Sequence, residues 1–501
     1  MNYDMLLERE VAGPSGVEKK LVRFYGYKVL HQTAGSHFWN DVTTLFVTVR
    51  DGIGNDGPLL AQGTLTLNLE DLLWQASSIK SPVRDDWLGH LVERFPAAQS
   101  AIAALYMAKF AGFFGMTVFQ AYGGLLADMN NFPAAALAAV PSGRPDRPLR
   151  LPAPTVFNID LPDGFRNKLT RYQGGSKGPV LVAPGFSIKA SSFSINTVDE
   201  CLSEALVAAG YDVWLFDYRA SPDSGSPIQP YTVDDIALID WPHAVARVLK
   251  ETGAPSVQAI SHCISSMSLL MGLADGAVPS AKPGVGGVRS LISSQLTLHP
   301  ITDWFNYLKA DMNVVGLLEG VSQLDGAFDF SPGRIKDENF DHEIDAVAWQ
   351  LPVPEGQECK NPTCRRVFAV YGPSYEHAQL SHWTHTTLSE MFGRVAIKPF
   401  EQLQAIMQLG HVVAADGTER YVTPQGAKNL QLPISFIAGA ANQLFYPETA
   451  QRTRDWLLHT NDPSLYTLRM FEGYAHMDTF IGRNASKDVF PYLVAELDRF
   501  N

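Results

Sequence analysis

Cysteine is scarce in this chain, with four residues in 501. That density rules out a disulfide scaffold, and only Cys359 and Cys364 lie close together in sequence. Also missing is any block of basic residues interleaved with aromatics, and the net charge of −13 is spread along the chain rather than massed in a tail. Nucleic acid is therefore not an expected partner. Residues 1–20 mix acids and bases and contain no apolar stretch of the kind that a secretory signal needs, so a cytoplasmic location is expected. There is no internal repeat and no low-complexity tract. Nor is there an uninterrupted apolar run of bilayer length: residues 101–119 come nearest, broken by Lys109 and Thr117. Gly112, Gly115 and the charged flank at Asp85, Asp86, Glu93 and Arg94 argue for a buried helix or one lying on a lipid surface. Peripheral membrane contact through residues 101–119 is the membrane role this leaves.

What is present suits a globular protein: 46% of residues are hydrophobic, and the length corresponds to roughly two to four domains. Residues 1–75 form a β-rich domain, with strands expected over 21–30, 43–50 and 59–69. Between two of them Gly52-Ile53-Gly54-Asn55-Asp56-Gly57 matches the G-x-G-x-x-G dinucleotide pattern. A strand rather than a helix follows, so no helix N-terminus can meet a pyrophosphate, and the stretch reads as a hairpin loop. Residues 76–150 hold a helical segment and a linker rich in Ala and Pro, where Pro141, Pro145 and Pro148 interrupt regular structure.

Beyond the linker, short apolar runs alternate with helix-sized intervals, the signature of an α/β fold with a mostly parallel sheet. Eight strands are expected, at 156–161, 168–172, 179–183, 212–216, 256–260, 290–295, 434–438 and 466–471. Residues 151–295 and 434–501 make the core. Residues 296–433 are too long for a bare loop and form a cap, with helices expected over 382–392 and 400–409.

At the centre of this core stands Ser261-His262-Cys263-Ile264-Ser265, between a strand and a helix. Strand, tight turn and helix, with small residues two places either side of one reactive side chain, is the layout of a nucleophile elbow. Cys263 holds the nucleophile's place. The base is expected in the loop after the last strand, where Gly473-Tyr474-Ala475-His476 offers His476. The residue that orients the imidazole should follow the preceding strand, at Asn442, whose amide oxygen would accept the imidazole N–H. Asp303 is the alternative orienter. A thiol gives up its proton far more readily than a hydroxyl, so an amide in place of the usual carboxylate is consistent with a cysteine nucleophile. Backbone N–H groups of Phe186 and Ile264 are the expected oxyanion donors. The Cys359/Cys364 pair is too little by itself to mark a bridge or a metal. His377, His382 and His385 have mixed spacing and no neighbouring carboxylates, so no metal and no cofactor is expected.

Three stretches now carry a resemblance: Val213-Trp214-Leu215-Phe216-Asp217-Tyr218-Arg219, Ser261-His262-Cys263-Ile264-Ser265 and Gly473-Tyr474-Ala475-His476-Met477-Asp478. Together they resemble the α/β-hydrolase superfamily. More narrowly, most of the chain resembles the hydrolase-like region fused behind cholesterol-oxidase-type GMC flavoenzymes. That region also has a His-Cys elbow, an Asn-containing loop like residues 439–447, a C-x4-C followed by Arg-Arg as at Cys359 to Arg366, and a segment like Trp39 to Leu45. The flavin domain has no counterpart here. The resemblance implies an α/β-hydrolase fold and covalent acyl chemistry. The leading expectation is a Cys263-His476-Asn442 hydrolase or acyltransferase acting on an ester, thioester or lactone of a hydrophobic small molecule. The alternatives are a non-catalytic protein that binds an apolar ligand in the same pocket, and a lyase or isomerase in which His476 alone is the base.

Overall fold

The computed structural model describes residues 2–13, 16–27, 44–54, 57–66, 147–282, 284–302, 325–335, 341–342, 344–345, 348, 357 and 359–501. Two compact units make up the chain: Met1–Phe132 with Trp349–Glu358, and Pro133–Ala348 with Cys359–Asn501. The first contains an antiparallel sheet of β1 (Asn2–Gly13), β2 (Gly16–Tyr27), β3 (Thr44–Asp51) and β4 (Leu59–Thr66), in that order. β3 and β4 pair directly, and Asp51 N–H donates to Pro58 O at 2.9 Å across the glycine-rich turn. A strand follows that turn, as the hairpin reading requires, and the dinucleotide pattern has no helix to serve it.

The second unit is built on β5 (Thr155–Asp160), β6 (Arg166–Tyr172), β7 (Pro179–Ala183), β8 (Asp212–Asp217), β9 (Ser256–His262) and β10 (Gly287–Ser294). A separate two-stranded ribbon, β11 (Ala327–Asp329) with β12 (Arg394–Ala396), lies between these and the last two strands, β13 (Ile434–Gly439) and β14 (Tyr466–Phe471). The large sheet has the order β14-β13-β10-β9-β7-β8-β6-β5. β7, β8, β9, β10, β13 and β14 pair in parallel, while β5 and β6 close one edge antiparallel. All eight strands expected from the sequence are there, within a few residues at each end.

Helices named here are α1 (Leu202–Ala208), α2 (Trp241–Thr252), α3 (Ile264–Asp275), α4 (Pro362–Val370), α5 (His382–Thr386), α6 (Pro399–Leu409) and α7 (Phe490–Arg499). Strand side chains alternate between two apolar layers. Leu181, Trp214, Ala259, Leu291 and Phe436 face the layer that includes Val245 of α2 and Leu269 of α3. Their neighbours Val182, Leu215, Ile260, Ile292 and Ile437 face the other, with Leu206 of α1 and Leu493 of α7. Because both faces are covered, the central strands read as continuous apolar runs rather than as alternating ones.

Part of the cap is described. Its β12 region meets the loop after β7, with Lys189 N–H donating to Met391 O at 2.9 Å and Gly393 N–H to Ser187 O at 3.2 Å. The single helix expected over 382–392 is divided into α5 and a turn at Leu388–Met391. Thr386 and Thr387 return their hydroxyls to His382 O and Trp383 O, each at 2.8 Å. Such back-bonding by β-branched residues competes with the helix ladder and bends it. Among the described residues no helix is long and apolar enough to cross a membrane. The helical segment expected over 76–127, with residues 101–119, lies outside the described residues.

Candidate active site

Cys263 occupies the single residue between β9 and α3, at φ 60 and ψ −127. Positive φ is costly for any side chain with a Cβ, on the order of 1–3 kcal/mol, and persists only where the surroundings fix it. Here they do. Cys263 N–H donates to Ser294 O at 2.9 Å, while its own carbonyl accepts from Ser266 and Met267 N–H at 2.9 and 3.1 Å. Ser261 and Ser265 are completely buried, which is why both places must be small. Ser265 Oγ also accepts His262 N–H at 3.0 Å and donates to Ala183 O at 2.9 Å, stapling the elbow to β7. A Cβ on Gly185 would stand 3.2 Å from Cys263 Cβ, so the loop after β7 can run this close only with glycine there.

That loop carries Phe186, one of the two expected donors, and the other, Ile264, is the first residue of α3. Backbone N–H groups of Ile264 and Phe186 both reach the Cys263 thiol. Burial pushes the thiol up to about 12, and the two N–H groups pull the other way. At neutral pH the resting residue is therefore a thiol. The loop is braced by the stretch after β8: Tyr218 OH donates to Pro184 O and Gly185 O at 3.1 and 3.0 Å, and Asp217 accepts Ala190 N–H at 2.7 Å. Next to them Arg219 and Asp240 form a buried ion pair at 2.6 Å.

His476 and Asn442 also meet, at 3.2 Å between Asn442 Nδ2 and His476 Nδ1. The polarity is opposite to the sequence expectation. Asn442 Oδ1 already accepts Leu444 N–H at 3.0 Å and Phe445 N–H at 3.3 Å, so the oxygen cannot face the ring. The nitrogen does, and it donates as well to Gln295 Oε1 at 2.7 Å. Gln295 is fixed in turn, its Oε1 accepting Gly439 N–H at 3.2 Å and its Nε2 donating to Ala475 O at 3.1 Å. Backbone donors thus decide both amide orientations. His476 Nδ1 accepts, which leaves the ring proton on Nε2, an atom with no hydrogen-bond partner among the described residues. Burial, together with the neighbouring His262, holds His476 well below the ordinary imidazole range. Asp303, the other orienter considered, lies outside the described residues.

Three participants escaped the sequence reading. Gln295, at φ 75, ties the turns after β10, β13 and β14 together through one side chain. A buried polar residue closing a strand was the available signal. Asp478 accepts Ala475 N–H at 2.7 Å and Glu376 N–H at 2.9 Å and so sets the loop that presents His476. Its carboxyl is pushed up to about 7 by burial. His262 packs against His476 with ring centroids 4.6 Å apart and the planes tilted by 50°, bonds Ser294 Oγ through Nδ1 at 3.1 Å, and is lowered to about 3 by burial.

The parallel sheet, the strained turn after its central strand and the imidazole on the loop after its last strand decide the architecture. The second unit has the α/β-hydrolase fold. No protein-family model matches the chain. Lipase lipl-1 of Caenorhabditis elegans is 23% identical over 141 residues, 25% of this chain and 35% of that protein. The match thus spans about a third of the relative's length. Among solved structures, the Pyrococcus furiosus esterase Pf2001 is 13% identical over 70% of this chain and 93% of its own, with a TM-score of 0.39. A thermostable carboxyl esterase from Bacillus coagulans, in complex with glycerol, is 14% identical over 70% of this chain and 99% of its own, with a TM-score of 0.45.

Away from this site the structure adds what spacing does not show. Neither the Cys359/Cys364 pair nor the cap histidines mark a metal by spacing, yet Cys359, Cys364, His377 and His385 converge, their ligand atoms all within 4.8 Å of one another. Neither spacing alone shows this, because the chain folds back between α4 and α5. His382 is not of the group; its ring lies against Trp383 at 5.2 Å.

Proposed function

We propose that this chain is a cysteine-nucleophile hydrolase or acyltransferase that acts on an ester, thioester or lactone of a hydrophobic small molecule through an acyl-Cys263 intermediate. The observation that carries the reading is Cys263 itself. A non-glycine residue is held at φ 60 on the sheet's carboxyl edge, with the N–H groups of Phe186 and Ile264 converging on its sulfur. Strain of that kind, paired with two fixed donors, suits a group that must attack a carbonyl whose oxygen then becomes charged. The similarity to a lipase over a quarter of the chain points to the same substrate class.

Sulfur attacks the carbonyl carbon, the tetrahedral oxyanion is held by Phe186 and Ile264 N–H, and collapse expels the alcohol or thiol to leave a thioester on Cys263. Water or a second nucleophile then takes the acyl group. The thiol proton must go to His476 Nε2, which in the resting site already carries one. The ring can accept it only after its own proton shifts to Nδ1 and Asn442 turns its oxygen toward the ring, giving up the Leu444 and Phe445 N–H bonds. Asn442 is therefore a gate on thiolate formation.

The same gate favours a second reading, an apolar-ligand-binding protein in which the neutral His476 and the protonated Cys263 never react. It weighs against a lyase or isomerase run by His476 alone, since that base would also need a bare Nε2. The test is hydrolysis of p-nitrophenyl esters of increasing chain length by the wild type and by Cys263→Ala. The proposal predicts a loss of about 10³-fold or more in the variant. Equal turnover in both proteins would overturn it, and ligand binding with no turnover in either would support the binding reading.

A further inference from the structure

We infer that Cys359, Cys364, His377 and His385 form a structural Cys2His2 zinc site. All four offer one ligand atom, and these atoms lie within 4.8 Å of one another, about 1 Å wider than the roughly 3.3–3.8 Å edges of a tetrahedron built on Zn–S bonds of about 2.3 Å and Zn–N bonds of about 2.0–2.1 Å, so small side-chain movements would close the group around an ion. Cys364 Sγ stands 3.4 Å from His377 Nε2, and the His377 and His385 rings are 4.8 Å apart. Among the described residues the enclosed His385 Nε2 has no hydrogen-bond partner, and the His385 side chain interacts with Cys359, so a polar atom is aimed into the group rather than satisfied elsewhere. All four cysteines of the chain are free thiols. The order along the chain is Cys-x4-Cys-x12-His-x7-His, with the rest of α4 lying between the second cysteine and the first histidine.

The surrounding bonds hold the ligands in place before any ion arrives. Asn361, between the two cysteines, caps α4 by accepting Cys364 N–H at 3.1 Å and donates from Nδ2 to His385 O at 2.5 Å, which fixes α5 against α4. Tyr375 meets the His377 ring edge-on at 5.6 Å. Two thiolates and two imidazoles form a soft to borderline donor set that suits zinc and disfavours magnesium or calcium. Binding deprotonates both thiols, releasing two protons to solvent and leaving a core with no net charge. Four protein ligands leave no open position, so the ion is structural rather than catalytic.

Its position says what it stabilises. The segment from the second cysteine to the second histidine runs along the loop that carries His476 and the turn after it. Met477 N–H donates to Ser374 O at 2.7 Å, Gln379 Nε2 to Gly473 O at 2.8 Å, and Arg483 N–H to Gln379 O at 2.7 Å. The ion thus clips the cap segment that buttresses the last loop of the core. This assignment stands apart from the chemistry proposed for Cys263.

The test is metal analysis of the full chain purified without chelator. About one zinc per chain is expected, with X-ray absorption showing two sulfurs at about 2.3 Å and two nitrogens at about 2.0–2.1 Å. Cys359→Ser and His385→Ala should each reduce zinc at least about tenfold, while His382→Ala should keep it. If those two variants do not fold, cobalt substitution of the wild type gives the same answer through a thiolate-to-cobalt charge-transfer band and intense tetrahedral d–d bands. A wild-type chain that stays metal-free after incubation with zinc, or one whose zinc survives both ligand substitutions, would overturn the assignment. So would a Cys359–Cys364 disulfide found by non-reducing peptide mapping.

Discussion

Asn442 is the residue on which the proposed chemistry turns. With its oxygen held by two backbone N–H groups, it presents a donor to His476, where an orienting carboxylate or a turned amide would present an acceptor. Asn442→Asp supplies an acceptor without any rotation and moves the ring proton to Nδ1. Its second oxygen would crowd Gln295 Oε1, so Gln295→Ala should accompany it. In that double variant we expect acylation of Cys263 by an activated ester to quicken by about tenfold or more, since a wrong tautomer alone can cost a triad about 10⁴. An unchanged acylation rate would mean that the amide does not gate the base. His262 offers a second test at this scale. It is buried, and burial holds it at about 3, below the ordinary imidazole value of 6.5. The unfolded chain therefore binds a proton that the folded chain refuses, so this contribution is present above pH 6.5 and is lost as pH falls toward 3. The slope is about 1.4 kcal/mol per pH unit for one proton. Asp240 and Asp478, raised by burial to about 6 and about 7, act in the opposite sense, losing stability as pH rises from 3.8. Comparing urea unfolding of the wild type and His262→Gln between pH 4.5 and 6 cancels those carboxyls. The variant should lose less stability on acidification, by about 1.4 kcal/mol per unit, and parallel curves would contradict the assignment.

At the scale of elements, what positions the site is how closely three turns approach one another. The turn after β13 runs against the loop after β14, with Ala440 N–H donating to Phe471 O and Ala441 N–H to Tyr474 O, both at 2.9 Å. A Cβ on Gly439 would fall 2.1 Å from Ala475 O and 2.3 Å from Tyr474 O, inside backbone atoms that cannot yield. Gly439→Ala should therefore destabilise the fold by about 2–4 kcal/mol in urea unfolding and move His476 away from Asn442. A change below about 0.5 kcal/mol would show that the turns have room to part. Such approaches are where sequence reading runs out. The β9-turn-α3 elbow was legible because strand, small neighbours and one reactive side chain are local in the chain. His476 and Asn442 were legible because each follows a strand by a fixed short interval. The direction of the Asn442 amide was not, because Leu444, Phe445 and Gln295 decide it by hydrogen bonds that composition and spacing do not encode. The Cys359, Cys364, His377 and His385 group stayed hidden for a related reason, since the fold-back that joins its halves has no periodic signal.

Over the whole molecule the eight strands of the second unit could be read from apolar runs because both sheet faces are covered, so each central strand is apolar throughout. Stability here also depends on polar groups taken out of water. Arg219 is almost fully enclosed with Asp240, the pair meeting at 2.6 Å, and a third carboxylate, Asp163, approaches at 2.8 Å. Removing one member of such a pair leaves the other charged and buried, so Arg219→Ala should cost about 3–5 kcal/mol in urea unfolding. A loss under about 1 kcal/mol would place the pair in contact with solvent. The central claim concerns one covalent bond, and it is tested most directly by mixing the chain with an activated hydrophobic ester, quenching in acid during turnover and weighing the intact protein. The account predicts a mass increase of one acyl group that maps to Cys263 and is absent from Cys263→Ala. Turnover with no adduct under single-turnover conditions, or an adduct on another residue, would contradict it.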